Sequence, residues 1–446
     1  MRRWKIAACG EASRDGLEEI LPSEATGEEI VYVIGALSPQ IHEEVAAVAA
    51  VLQSWGYPMR VIAPMTRAFR QDLAAAGIPV REIDEPSGES LPSRWSDARG
   101  IASVLRQRPP MLLHAHGFQA TVAALLSQRG TSGHVPVVTS PHLLPHLLRE
   151  SPGFGLRSRA YRWALARSHS VVLPTETQRE ELAEFDETAA EAAEMVPYAL
   201  PGHRQPPSLD LGRRRKLLGI TPPAVVVGCV VDDLHREGIE GFLDAAAELC
   251  MEYPSLEFAL IGRDVDNPAN HELTHARGLL GAAVFVDPHD RFHQAISSLN
   301  VLVTPQAGWP SGMLALQALA ADVGVVAIEG GEVEEIAGLS PHVTIVPANG
   351  EISLGEGIIR QLRAASQRMM PEQDAPESHP ASEMLVSRAF FDLDEAWTTP
   401  SRDRGEASRQ PAGPDLAASF DPTRSARALI AVYQRLLEEA DAAAEI

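Results

Sequence analysis

The sequence predicts an α/β protein of two doubly wound, Rossmann-like parallel-sheet domains facing a cleft. Val-rich segments alternate with helical ones in two runs, 29–200 and 223–368. A Pro-rich stretch, 201–222, separates them, and 446 residues are too many for one compact core. Repeated strand–helix units with Val-rich strands imply parallel sheets covered on both faces.

In the first run "IVYVIG" (30–35) reads as a buried strand. Ile41, Val45, Val48 and Leu52 mark one helical face, and Gly56 is placed to stop that helix. Strands follow at "MRVIAP" (59–64), "MLLHAH" (111–116), "VPVVTS" (135–140) and "SVVLP" (170–174), with helices from Phe118 and near 156–167. Thr175 and Gln178 have capping-box spacing before the next helix.

The segment 201–222 is a linker with a short helix. The second run has strands at 224–231, 256–262, 283–287, 301–305, 323–328 and 343–347. Residues 1–28 read as a flexible leader and 369–418 as a mostly disordered insert, with "MLVSRAFFDL" (384–393) a docking candidate within it. "SARALIAVYQRLLEEA" (425–440) is an amphipathic helix that closes the chain, 419–446 packing back on the body. In such sheets ligands bind beyond the carboxyl ends of the strands, which is where candidate residues are sought.

Composition narrows the function. A hydrophobic share of 45% with 22% charged residues fits a folded globular chain. The net charge of −22 excludes nucleic acid as the expected partner. Cys9, Cys229 and Cys250 form no disulfide framework and no metal-ligand spacing, so no metal is expected and a cytoplasmic location is. There is no Gly-x-Gly-x-x-Gly after a strand, no P-loop lysine, no His-Glu-x-x-His and no Gly-x-Ser-x-Gly elbow. A dinucleotide dehydrogenase, P-loop ATPase, zincin and α/β-hydrolase are therefore disfavoured.

"GWPSGMLALQALA" (308–320) combines a Pro-Ser-Gly helix start with a nearly all-apolar helix carrying one amide, Gln317. A helix start offers free N–H groups and a positive dipole end, suited to phosphate; as a bare pattern Ser311 is also an ordinary cap.

The order of segments, from "VVVGCVVDDLHREGIEGF" through "VFVDPHDRFHQAISSLNVLVTPQAGWPSGMLALQALA" to "GGEVEEIAG", resembles the donor domain of family 4 retaining glycosyltransferases, with the GT-B fold. "LLHAHGFQATVAALL", "VPVVTSPH", "VVLPTETQREEL", the "RRRKLLGI" linker and the closing helix are similar to the rest of that family, over 30–365 and 418–440. The resemblance implies transfer of a sugar from a nucleotide-sugar co-substrate to a glycan or lipid-linked acceptor, with retention and without a required metal or other cofactor.

Residue by residue, the resemblance places Ser311 and Gly312 at the phosphate-binding turn. It places Trp309 and Gln317 where the family has a sugar-holding and a ribose-holding glutamate. Cys229 and Glu237 fall at a diphosphate-binding Arg and Lys. Two lost charge-assisted bonds would cost about 3–6 kcal/mol, which Arg236 or Arg263 could offset if either faces the cleft. Glu335 matches the glutamate of a Gly-Gly-x-x-Glu segment, with Glu332 on its second glycine; Glu332 is either near the ligand or solvated on a loop. On the acceptor side Gly35 remains of a glycine-rich turn, His114 and His116 end a strand, and Tyr198-Ala199 replaces an Asn-Gly loop. His142 matches a histidine directed at the donor sugar and is the catalytic candidate.

Arg157, Arg159, Arg162 and Arg167 around Tyr161 and Trp163 suit either a solvated helix or peripheral contact with an anionic inner membrane face. Three functions stay open: a glycosyltransferase with an altered donor site, an inactive relative acting as a binding or scaffold subunit beside a partner glycosyltransferase, and another enzyme on this architecture, such as a sugar-nucleotide epimerase, which needs diphosphate contacts too.

Overall fold

The computed structural model describes residues 29–35, 39–84, 91–128, 135–142, 154–200, 211–222, 224–231, 236–288, 292–305, 311–347, 350–369 and 419–444. The expected leader, the insert with its docking candidate, and Trp309 lie outside the described residues.

The N-terminal sheet contains β1 (Ile30–Ile34), β2 (Met59–Ala63), β3 (Val80–Glu82), β4 (Leu112–His116), β5 (Val137–Ser140), β6 (Ser170–Leu173) and β7 (Glu194–Met195). Its order is β3-β2-β1-β4-β5-β6-β7, with every pairing parallel. The second sheet contains β8 (Val225–Val230), β9 (Leu256–Ile261), β10 (Ala283–Val286), β11 (Val301–Thr304), β12 (Gly324–Ile328) and β13 (Val343–Val346). Its order is β10-β9-β8-β11-β12-β13, again parallel. Both orders reverse beside the first strand, β1 to β4 and β8 to β11, which opens a crevice at the strand ends. The predicted two-domain parallel architecture is the one observed.

Strand identity follows from burial. All five residues of β1, β2 and β4 and all six of β8 are buried. Strands buried on both faces sit between two helical layers. Such layers are α1 (Pro39–Ser54) and α4 (Phe118–Ser127) in the first domain, and α9 (Arg236–Glu252) and α12 (Ser311–Ala320) in the second. Gly56, at φ 86°, occupies the left-handed conformation expected just past α1. The elements β3, β7 and α3 (Leu91–Gln107) are additions to the sequence expectation. β3 and β7 are three and two residues long, too short to leave a pattern.

Two segments tie the chain together. The final helix, α15 (Pro422–Ala444), returns to the N-terminal domain, where Leu429, Val432, Tyr433 and Leu436 join the core beside α1. Ser425 donates to the carbonyls of Pro197, at 2.7 Å, and Tyr198, at 3.2 Å. The linker helix α8 (Leu211–Leu217) is pinned by Arg215, which is buried. Its guanidinium donates to the carbonyls of Ser298, Pro222 and Ala224 and to Asn300 Oδ1, at 2.6–3.0 Å.

Arg215→Leu should therefore lower stability by about 2–4 kcal/mol, because it leaves several buried acceptors unpaired. The urea midpoint measures it, and Arg215→Lys should recover little, since a single ammonium cannot reproduce the planar fork.

Candidate functional site

The two domains meet where Thr175, Thr177 and Gln178, just past β6, and Tyr198, past β7, reach the starts of α12 and α13 (Glu332–Ala337). Ser311 opens α12, and Ser311 and Gly312 are both buried. A carboxyl group is already present there, supplied by the chain. Glu332 is fully buried, and its Oε2 accepts from the Gly312 N–H at 3.3 Å. Its Oε1 accepts from Tyr198 Oη at 2.7 Å, from Thr175 Oγ1 at 3.3 Å and from Gln178 Nε2. Of the two alternatives for Glu332, the solvated loop position is thus corrected: it starts a helix and has no exposure. A methyl group on Gly312 would lie 2.4 Å from Glu332 Oε2, so only glycine permits this approach.

The three side-chain donors come from the other domain. Thr175 caps α6 (Glu176–Phe185), accepting from the Gln178 N–H at 3.2 Å, as its spacing predicts. The Gln178 side chain completes no capping box; it crosses to Glu332 instead. Tyr198, which replaces the family's Asn-Gly loop, is buried in the same cage.

Two further contacts span the domains on either side. Glu335 accepts from Thr177 N and Thr177 Oγ1, both at 3.2 Å, at the positive end of α6. Gln317 Nε2 donates to Glu43 Oε2 of α1 at 3.0 Å, and Glu43 Oε1 bonds His293 Nδ1 at 3.0 Å. An amide at 317 donates to Glu43 where a carboxylate would repel it. Gln317 Oε1 is buried and unpaired among the described residues.

Acid is concentrated around the cage. Burial raises the pKa of Glu332 more than its four donors lower it. Glu44 is pushed up to about 8 by burial, lowered somewhat by the Ala199 N–H, and raised further by Glu332. Glu181 is pushed up to about 7 by burial and then by Glu332 and Glu184.

On the acceptor side a cavity of about 40 Å³ is lined by Tyr32, Glu44, His114, His116, His142 and Tyr198. That is room for a few waters at most. His114 Nδ1 bonds Tyr433 Oη at 2.5 Å, and Tyr433 Oη bonds Tyr32 Oη at 2.9 Å. His114 Nε2 bonds Ser140 Oγ at 2.8 Å, while His116 Nδ1 bonds His142 Nε2 at 3.1 Å. The rings stack, with centroids 4.4 Å apart for His114–His116 and 5.3 Å for His116–His142. Burial holds His142 down near 4 and, with the His142 charge, His114 near 3, so all are neutral at pH 7. His116 Nε2 is buried without a partner among the described residues. His142 adopts φ 55°, a left-handed conformation rare for a non-glycine residue and concentrated at functional sites.

Other expected residues fall elsewhere. Cys229 is a correction: it lies within β8 with its side chain in the apolar core beside Phe242 and Leu260, closed to any ligand. Gly35 is also a packing residue, since a Cβ there would sit 2.8 Å from the Ala120 nitrogen of α4. Arg236 and Glu237 open α9. Arg263 follows β9, is exposed, and lies close enough to His42 of α1 to add to the burial that holds this histidine near 3. In the basic helix α5 (Phe154–Leu165), Tyr161 is buried, and Arg162 donates to the Phe185 carbonyl at 2.8 Å and covers the Phe185 ring. Those two serve packing, and Arg167 lies over Trp163. Among the described residues no helix is long and apolar enough to cross a membrane, and no His, Cys, Asp and Glu group could hold a metal ion. Sequence reasoning missed Glu43, Glu44 and the donor roles of Thr175 and Gln178; the capping-box spacing was the one signal available.

Two parallel-sheet domains with their reversal points opposed define the GT-B class, and the chain is a glycosyltransferase-like protein of that fold. Residues 41–199 match the Glycosyl transferase 4-like domain and residues 222–364 match Glycosyl transferases group 1. The chain is 26% identical over 148 residues to the lipopolysaccharide core biosynthesis mannosyltransferase LpsB of Rhizobium meliloti (strain 1021). That match spans 32% of this chain and 42% of the relative, so less than half of the curated relative's length is covered. In fold the chain resembles Anabaena HepE in complex with UDP and glucose, with TM-score 0.61, 14% identity, and coverage of 91% of this chain and 99% of that one. It also resembles the catalytic domain of starch synthase IV from Arabidopsis thaliana bound to ADP and acarbose, with TM-score 0.61, 13% identity, and coverage of 92% and 100%.

The acid cluster sets a pH dependence. Glu44 and Glu181 have folded-state values near 8 and 7, above the ordinary 4.5, so the folded state binds more protons between those values. Stability from these groups is full below 4.5 and is lost as pH rises through 7–8. The buried histidines act the other way, but only below their ordinary 6.5. Thermal midpoints should therefore fall between pH 6.5 and 8, and Glu44→Gln should flatten that fall.

Proposed function

We propose that this chain is a family 4 type retaining glycosyltransferase, moving a sugar from a nucleotide-diphosphate sugar to a glycan or lipid-linked acceptor in glycan or polysaccharide assembly. The observation that carries this reading is the oxyanion at the start of α12: the Gly312 N–H holds a carboxylate at 3.3 Å, at a helix end suited to a diphosphate. A leaving diphosphate gains negative charge as the sugar departs, and preorganised N–H and O–H donors stabilise that charge. His142, neutral and held in a strained conformation above the cavity, can orient a sugar hydroxyl but cannot neutralise a phosphate. The mannosyltransferase relative and the UDP-bound fold neighbour support the same substrate class. Gln317, with Glu43 behind it, serves as a neutral contact for the ribose.

A second reading, an inactive relative serving as a binding or scaffold subunit, is favoured by one observation. All four donors around the oxyanion are neutral, and the acids Glu44 and Glu181 stand nearby. Titration calorimetry with UDP, GDP and ADP and their sugars separates the two. The transferase reading expects submillimolar binding of one nucleotide and its loss in Gly312→Val. Silence with all three, in the wild-type chain and in Glu332→Ala alike, would leave the scaffold reading.

A further inference from the structure

Glu332 gathers donors from both domains onto one carboxylate. Gly312 and Glu332 belong to the second domain, whereas Thr175, Gln178 and Tyr198 belong to the first. We propose that Glu332 is the resident ligand of its own cleft. Its carboxylate fills a cross-domain oxyanion cage formed by Gly312 N, Thr175 Oγ1, Gln178 Nε2 and Tyr198 Oη, and a phosphoryl group of a nucleotide diphosphate enters only by displacing it. The displacement half of this proposal rests on the donor reading above.

Three features carry it. The cage chemistry is that of an oxyanion receptor, since each group donates and none accepts in these contacts, and a phosphoryl oxygen meets the same donors as a carboxylate oxygen. The cage holds one anion at a time. All four donors are neutral, so a second negative group beside Glu332 has no cation among them to offset it. Steric fit gives the same result, because Glu332 Oε2 already sits where even a Gly312 methyl group could not.

Occupancy also fixes the domains. Glu332 is flanked by the Glu335–Thr177 and Gln317–Glu43 contacts, which cross the same seam. Withdrawing the carboxylate breaks three side-chain bonds to the first domain at once and leaves the start of α6 tied across the seam by the exposed Glu335–Thr177 contact. Displacement therefore loosens the seam, and the apparent affinity for nucleotide is reduced by the fraction of molecules in which Glu332 is out.

The test compares the full-length wild-type chain, Glu332→Ala and Glu332→Gln, which keeps the side-chain volume. Calorimetry is run with UDP, GDP and ADP, and hydrogen exchange without nucleotide reports on the first turn of α6. Expected is a gain in nucleotide affinity of about tenfold or more in Glu332→Ala, a smaller gain in Glu332→Gln, and faster exchange at Thr177 and Gln178. Adding Tyr198→Phe to Glu332→Ala should remove part of the gain, because the phosphoryl group loses a cage donor. Equal nucleotide affinity in all chains would overturn Glu332 as the occupant and leave the donor reading standing. Faster exchange with no nucleotide bound by any chain would overturn displacement and the donor reading together, while the cross-domain contact survived.

Discussion

Glu332 places an ionisable group at the seam between two domains where water does not reach it. A carboxylate taken out of water costs several kcal/mol unless its lone pairs find donors or it keeps a proton. Here three donors come from two places in the first domain, the start of α6 and Tyr198, and one comes from the second. The arrangement of the two domains is thus a condition for the side chain being there at all. If the seam slid by an ångström or two, Glu332 would be buried and unpaired. The relation runs both ways: the seam positions the carboxylate, and the need to satisfy the carboxylate selects the seam.

The same constraint explains neighbouring choices that are odd on their own. Gln178 leaves its capping box half made because its amide serves Glu332. Tyr198 stands in place of a small turn residue, and its hydroxyl is the shorter of the two hydroxyl donors on Oε1. Gln317 in place of a carboxylate lets Glu43 approach from α1, and Glu43 in turn holds His293. Each change taken separately looks like a lost ligand contact. Together they form a polar seam in which acids of one domain meet donors of the other.

The architecture was legible because it depends on local pattern. Fully apolar β1 and β8, the helical face from Ile41 to Leu52 and the glycine stop at Gly56 carry their signals within a few residues. The site was only partly legible, for reasons that differ by residue. Ser311 and Gly312 were found because a helix start has a sequence signature. Cys229 was misplaced because position after a strand does not reveal which way a side chain points, and here it points into the α9 core. Glu332 was left undecided because its three side-chain donors lie 134 to 157 residues earlier in the chain. No local period encodes such a distance.

Two sites of opposite character therefore face each other across the cleft. On the first-domain side, stacked neutral histidines and tyrosines form a network with no net charge, its hydrogen bonds running from Ser140 through His114 to Tyr433 and Tyr32. A network of that kind can position hydroxyl groups, and low pKa values keep it in one protonation state across the physiological range. On the second-domain side, a helix end and neutral donors from across the seam hold a single anion. An uncharged surface for hydroxyls facing a receptor for one oxyanion is the division of labour that moving a sugar off a phosphate requires. Under the proposal, that receptor is occupied by Glu332 of the chain itself, and its donors come from both domains, so access to it is coupled to the way the two domains meet.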